Sequence, residues 1–242
     1  MKIASNSGEH GQIKPRVVEI IGPAGAGKTT LFRSLSDYPE HIRLETFPNV
    51  RRALDAPFYI RYGIQLIPSI LRLSRRNSRK LNRREFAWLS ILKGWPFVLQ
   101  REGRKRSQVI VLDQGPVYLM VEIRESGPEY LKSNDAEEFW QELYSQWAAA
   151  LDMIVWLDAE DIYLLERIQN RTKGHVVKNE SVPLVHEFLA RYRRAFDYVV
   201  SSMETCAGGP RVLRFDTSRQ RPQEIVVSLL SELGISCQTT WS

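Results

Sequence analysis

Residues 22–29 read Gly22-Pro23-Ala24-Gly25-Ala26-Gly27-Lys28-Thr29, directly after the apolar run Val17–Ile21 and at the start of a helix-forming segment. Glycines let the backbone curl so that successive N–H groups point inward at one place. The helix that follows adds the positive end of its dipole to the same spot. Lys28 brings a compact cation, and Thr29 brings a hydroxyl suited to a divalent ion. The product is an anion cradle at the end of a strand, and the polyphosphate tail of a nucleoside triphosphate uses every part of it. Strand, turn and helix in that order commit the chain to an α/β fold.

The rest of the sequence agrees. Further β-rich runs are Ile42–Thr46, Gln108–Asp113, Met153–Asp158 and Val212–Asp216. Val109–Leu112 is continuously apolar, as a central parallel strand is. Helices are expected at Lys28–Ser36, Ala136–Ala150, Asp161–Asn170, Pro183–Met203 and Pro222–Leu233. Pro183 and Pro222 suit first-turn positions and Gly234 suits a helix stop. Helices alternating with strands imply a parallel sheet covered on both faces. With 242 residues, 43% of them hydrophobic, one domain spans 1–242.

Several classes are excluded. Two cysteines, Cys206 and Cys237, make no disulfide framework, and four scattered histidines make no imidazole metal site. Met1–Gln12 is polar and lacks the apolar stretch of a secretory leader. The apolar stretches Ile64–Leu71 and Phe86–Leu99 are too short or too interrupted to span a bilayer. A cytoplasmic location is the expectation.

Charge is distributed unevenly. Residues 51–107 hold 15 Lys/Arg against Asp55, Glu85 and Glu102, a net +12 in a chain of net +6. This block fills the long connection between the second and third strands, far more chain than a simple crossover needs. Ile60, Ile64, Ile67 and Leu71 recur at helical spacing there, as do Leu89, Leu92 and Trp95, and both stripes are read as core. Ser74–Asn82 reads as a polar turn or frayed helix end. The cations have four readings: a solvated face, a site for an anionic acceptor, a membrane-facing patch, or a nucleic-acid surface supported by charge alone.

Three further positions carry candidate chemistry. Asp113 ends the third strand, where it either holds a magnesium-bound water or caps the Gly115-Pro116 loop. Arg167 and Arg171 share a helix face, either closing over a phosphoryl group or lying on a solvated surface. Glu45 ends the second strand, either as a base for an attacking hydroxyl or as a solvated acid.

The ordered set GPAGAGKT, LETFP, LDQG, VWLDAEDIYLLERIQNRTK, a long helix with Tyr192, and FDTS resembles the P-loop nucleoside and nucleotide kinases, thymidylate kinase and the deoxynucleoside kinases in particular. The resemblance runs from about Arg16 to Leu233 and implies a three-layer P-loop sandwich whose five-stranded parallel sheet is ordered 2-3-1-4-5. It implies ATP-dependent phosphoryl transfer with Mg²⁺, donor phosphates on Gly22–Thr30, and a lid-like segment at 161–180 with Arg167, Arg171 and Lys173. It places Asp216-Thr217-Ser218 near the donor base and gives Glu45 the part of catalytic carboxylate. Two departures stand out. Gln114 follows the strand-three acid where these kinases usually have arginine, and the strand-two loop Glu45-Thr46-Phe47-Pro48 has no basic residue, Arg51 and Arg52 coming shortly after. The implied partners are a nucleoside triphosphate and a small anionic acceptor, with a homodimer left open. A nucleotide-dependent regulatory or assembly ATPase is the alternative.

Overall fold

The computed structural model describes residues 17–45, 56–74, 79–103, 108–171, 177 and 180–235, with side chains omitted for 100–103. Five parallel strands, β1 (Val17–Ile21), β2 (Ile42–Glu45), β3 (Val109–Asp113), β4 (Met153–Asp158) and β5 (Arg211–Asp216), form one sheet in the order β2-β3-β1-β4-β5. The expected order is therefore met, and the strand limits agree to within a residue; Thr46 lies outside the described residues. β1 is buried along its whole length and β3 along all but its last residue, because helices cover both faces.

Among the described residues the α-helices are α1 (Lys28–Ser34), α2 (Ala56–Ser74), α3 (Arg83–Gly103), α4 (Pro116–Ser126), α5 (Glu137–Ala148), α6 (Asp161–Gln169), α7 (Val182–Glu204) and α8 (Pro222–Glu232). One core layer joins one face of the sheet to α2, α3, α4, α5 and the C-terminal half of α7; the other joins the opposite face to α1, α6, α8 and the N-terminal half of α7. Register decides what stands beside the glycine turn. Asp113 is aligned with Ile20 of β1, and Glu45 with Leu112 of β3, so both carboxylates end their strands at the sheet edge where the turn begins.

α4 is absent from the sequence expectations. It buries Val117, Leu119, Met120, Val121 and Ile123. A helix apolar nearly all round carries no 3.6-residue alternation, so periodicity passes over it.

The basic connection is a helical hairpin, α2 against α3. Its two helices approach closely at two glycines. A Cβ on Gly94 would lie 2.2 Å from the Tyr62 ring, and one on Gly63 would lie 2.9 Å from Phe86. Leu89, Leu92 and Trp95 are buried, as expected. The other stripe is not: Ile60, Ile64 and Leu71 are 62%, 60% and 59% exposed, and Ile67 is 44% exposed. The reading of that stripe as core is corrected. α2 carries a second apolar row, Tyr62, Gly63, Leu66 and Leu73, and it is this row that faces inward. No described helix is long and apolar enough to cross a membrane.

Candidate active site

The turn from β1 into α1 takes the shape its glycines permit. Gly22, Gly25 and Gly27 have φ of 141°, 84° and 87°. A Cβ on Gly22 would fall 2.0 Å from the Leu157 carbonyl oxygen, and one on Gly25 would fall 2.9 Å from that of Leu164. Side chains are thus barred from the two glycines nearest the protein, whereas nothing lies within 4 Å of the corresponding point on Gly27. The turn is open at Gly27. Pro23 and Ala26 are buried and Ala24 half-buried beneath it, while Thr29 and Thr30 are exposed on the first turn of α1.

Lys28 folds back over the loop. Its Nζ donates to the carbonyl oxygens of Gly22 at 2.6 Å and Pro23 at 2.8 Å. Burial pushes this ammonium down to about 8, with Asp113 and Asp158 opposing the fall and Arg171 adding to it. Burial likewise raises the Asp113 carboxyl, and the Lys28 charge counters it. Lys28, Asp113, Asp158 and Arg171 therefore share one electrostatic neighbourhood. Among the described residues no group of three His, Cys, Asp or Glu forms a protein-only metal cage. A hydroxyl and one carboxylate beside a phosphate cradle is a donor set that suits Mg²⁺, which retains waters and takes oxygens from the substrate.

The two arginines of the expected lid have different surroundings. Arg167 Nη1 donates to Thr217 Oγ1 at 2.9 Å and to the Gly25 carbonyl at 3.3 Å, while Nη2 donates to the Thr217 carbonyl at 2.8 Å. It ties α6 to the glycine turn and to the β5–α8 turn. Arg171 is exposed just beyond α6, near enough to lower Lys28. Lys173 lies outside the described residues. A cavity of about 330 Å³ opens between these elements, lined by Gly27, Thr29, Arg171, Thr217, Gln220 and Pro222 among others. Asp216 itself turns inward to its own loop, its Oδ1 accepting the Ser218 N–H at 2.9 Å and the Ser218 hydroxyl, which hold its carboxyl below the usual range.

Glu45 sits at the end of β2, ion-paired with Arg43, two residues back on the same strand face. Arg51 and Arg52 lie outside the described residues.

Two residues that sequence reasoning missed organise this edge. Glu19, in the middle of β1, is fully buried and accepts the backbone N–H groups of Val117 at 2.9 Å and Tyr118 at 3.1 Å. It caps the start of α4, whose first turn presents unpaired donors and the positive dipole end. A Cβ on Gly115 would come within 2.6 Å of its carboxyl carbon, so glycine is required there. Just before it, Gln114 has φ 58°, a left-handed conformation uncommon for a residue with a side chain. Burial lifts the Glu19 carboxyl to about 8, offset in part by its backbone hydrogen bonds. The second residue is Arg193 of α7, which grips Asp158 at 2.8 Å and also reaches Asp161 and the Ala159 carbonyl. Only a contact between distant segments shows either role.

Away from the glycine turn, Tyr192 of α7 donates to Glu122 Oε1 of α4 at 3.0 Å. Tyr118 stands close to Glu122, Arg84 and Asp113, its hydroxyl pushed up to about 12 chiefly by burial. Tyr118, Glu122 and Tyr192 thus form a polar cluster near Asp113 at the end of β3.

No family model and no curated protein matches the chain. Among solved structures, thymidylate kinase from Candida albicans aligns with a TM-score of 0.52 at 15% identity, over 91% of this chain and 92% of that one. Deoxyadenosine kinase from M. mycoides, determined with bound dATP, aligns at 0.49 and 13% identity, over 90% and 99%. The chain has a P-loop nucleotide kinase-like α/β fold.

Proposed function

We propose that this protein is an ATP-dependent phosphotransferase that moves the γ-phosphoryl group of a nucleoside triphosphate to a small acceptor. The observation that carries this reading is the position of the Lys28 ammonium, folded over an open glycine cradle in one electrostatic neighbourhood with Asp113 and Arg171. Residues 22–30 hold the donor phosphates through backbone amides, and the base lies against Thr217, Gln220 and Pro222 in the lining of the cavity. Thr29 and Asp113 are the residues suited to hold Mg²⁺, whose charge would offset that of the phosphate oxygens. Lys28 and Arg171 stabilise negative charge on the transferring group. Arg167 serves as a brace, with its donors committed to Thr217 and Gly25.

The acceptor sits by the β2 and β3 ends, near the polar cluster of Tyr118, Glu122 and Tyr192. Glu45 takes the proton from an attacking hydroxyl, and Arg43 positions its carboxylate. The fold of the Candida albicans thymidylate kinase lends support to phosphoryl transfer as the reaction class. The departures at Gln114 and after Glu45 favour an acceptor other than thymidylate.

The decisive experiment incubates the protein with Mg-ATP and a panel of nucleosides, nucleotides and phosphorylated sugars. A kinase shows slow ATP loss alone and a large acceleration with one acceptor, yielding its phosphorylated product. Lys28→Ala abolishes that acceleration while the thermal midpoint holds. Acceleration by RNA, lipid or a protein, without a small-molecule product, would replace this reading with that of a regulatory ATPase.

A further inference from the structure

The outward face of α2 is apolar and basic together. Ile60, Ile64, Ile67 and Leu71 recur at intervals of four, three and four, which sets them in one row along the helix, and all are exposed. Phe97 of α3 is also 52% exposed, but it stacks on Tyr62 of the inward row and so stands apart from this one. A contiguous exposed row of this kind marks a docking surface rather than scattered surface hydrophobes.

Charge says what docks. From residue 56 to residue 84 there are eight Lys/Arg and no Asp or Glu. Arg61 is exposed beside the row, Arg72 pairs with Glu138 of α5 at 2.9 Å, and Lys80 and Arg83 are exposed at the hairpin end. A second copy of the chain is poorly matched to this surface. A two-fold contact would set the basic block, net +12 over 51–107, against itself. The surface needs a partner that is apolar below and anionic at its rim. A bilayer bearing acidic headgroups has both, with acyl chains for the isoleucine row and headgroup charge for the cations.

We propose that the outer face of α2 docks the protein on an anionic lipid surface, with the helix lying in the interfacial plane. This rests on the hairpin alone and stands or falls apart from the phosphotransferase reading. The Mg-nucleotide cleft is built on other elements and stays intact when the face is changed.

The test is cosedimentation of the full chain with vesicles of phosphatidylcholine alone and of phosphatidylcholine mixed equally with phosphatidylglycerol. Binding to the mixed vesicles and not to the neutral ones is expected, weakening as salt rises. Ile64→Glu/Ile67→Glu should lower the partition coefficient by about tenfold or more while ATP affinity matches the wild type. If that variant loses ATP affinity, Ile60→Ser/Leu71→Ser carries the same comparison. Arg61→Gln/Lys80→Gln should weaken binding and flatten its salt dependence. Three results would overturn the proposal: no binding to acidic vesicles, equal binding by the apolar variants, or a wild-type dimer that the apolar variants dissolve with no vesicle binding by either.

Discussion

Arg167 holds Thr217 at two points, Nη1 on the hydroxyl at 2.9 Å and Nη2 on the carbonyl at 2.8 Å. Through the same guanidinium α6 also reaches Gly25, so one side chain braces three segments that border the cavity. Arg171, four residues on, sits close enough to the Lys28 ammonium to disfavour its charge. Two arginines that look equivalent in the sequence therefore have different surroundings, and in the proposed mechanism one shapes the cavity while the other meets the phosphoryl group.

This division is measurable by steady-state kinetics. Arg167→Lys keeps a charge but loses the planar fork, and should raise the KM for ATP by roughly tenfold, equivalent to about 1.4 kcal/mol, with kcat little changed. Arg171→Ala should lower kcat by roughly 10²-fold, as expected for a lost charge-stabilising donor. The opposite pattern would exchange their roles.

Donor binding should depend on Lys28 titration. Its ammonium is depressed to about 8, so ATP affinity should be flat below that value and fall as pH rises through it. A bound polyphosphate favours the charged form and shifts the midpoint upward. Calorimetry across this range checks the trend, and Lys28→Ala should bind weakly with the dependence removed.

Glu45→Gln tests the proposed base. Loss of the carboxylate should lower kcat toward a hydroxyl acceptor by roughly 10²-fold, with ATP affinity retained. Unchanged turnover would take Glu45 out of the mechanism and point to an acceptor that is already ionised.

Glu19 predicts a pH-dependent stability. Its folded carboxyl is raised from 4.5 to about 8, so the folded state keeps a proton that the unfolded chain releases. This contribution is fully present below about 4.5 and is lost as pH rises toward 8, with a slope of at most about 1.4 kcal/mol per pH unit. Urea unfolding of the wild type and Glu19→Gln should therefore diverge in slope across that window. Parallel curves would show that the α4 cap does not titrate.

What the sequence determined by itself was local and periodic. The glycine turn was legible because its function depends on φ values that only glycine adopts freely, and such a constraint is written directly in residue type. The strand order followed from the resemblance, and the buried β1 and β3 runs announced themselves by unbroken hydrophobicity.

Tertiary structure decided what depends on which face meets which neighbour. α2 carries two apolar rows at helical spacing, and sequence spacing alone does not say which one is covered. The contacts of Gly63 with Phe86 and of Gly94 with Tyr62 turn the isoleucine row outward. Glu19 reads as a misplaced acid in a core strand until α4, nearly a hundred residues on, brings it two backbone donors. Arg167 and Arg171 differ only through what faces them. The energy of a buried charge or a docked helix belongs to the pair, and the pair exists only once the chain has folded.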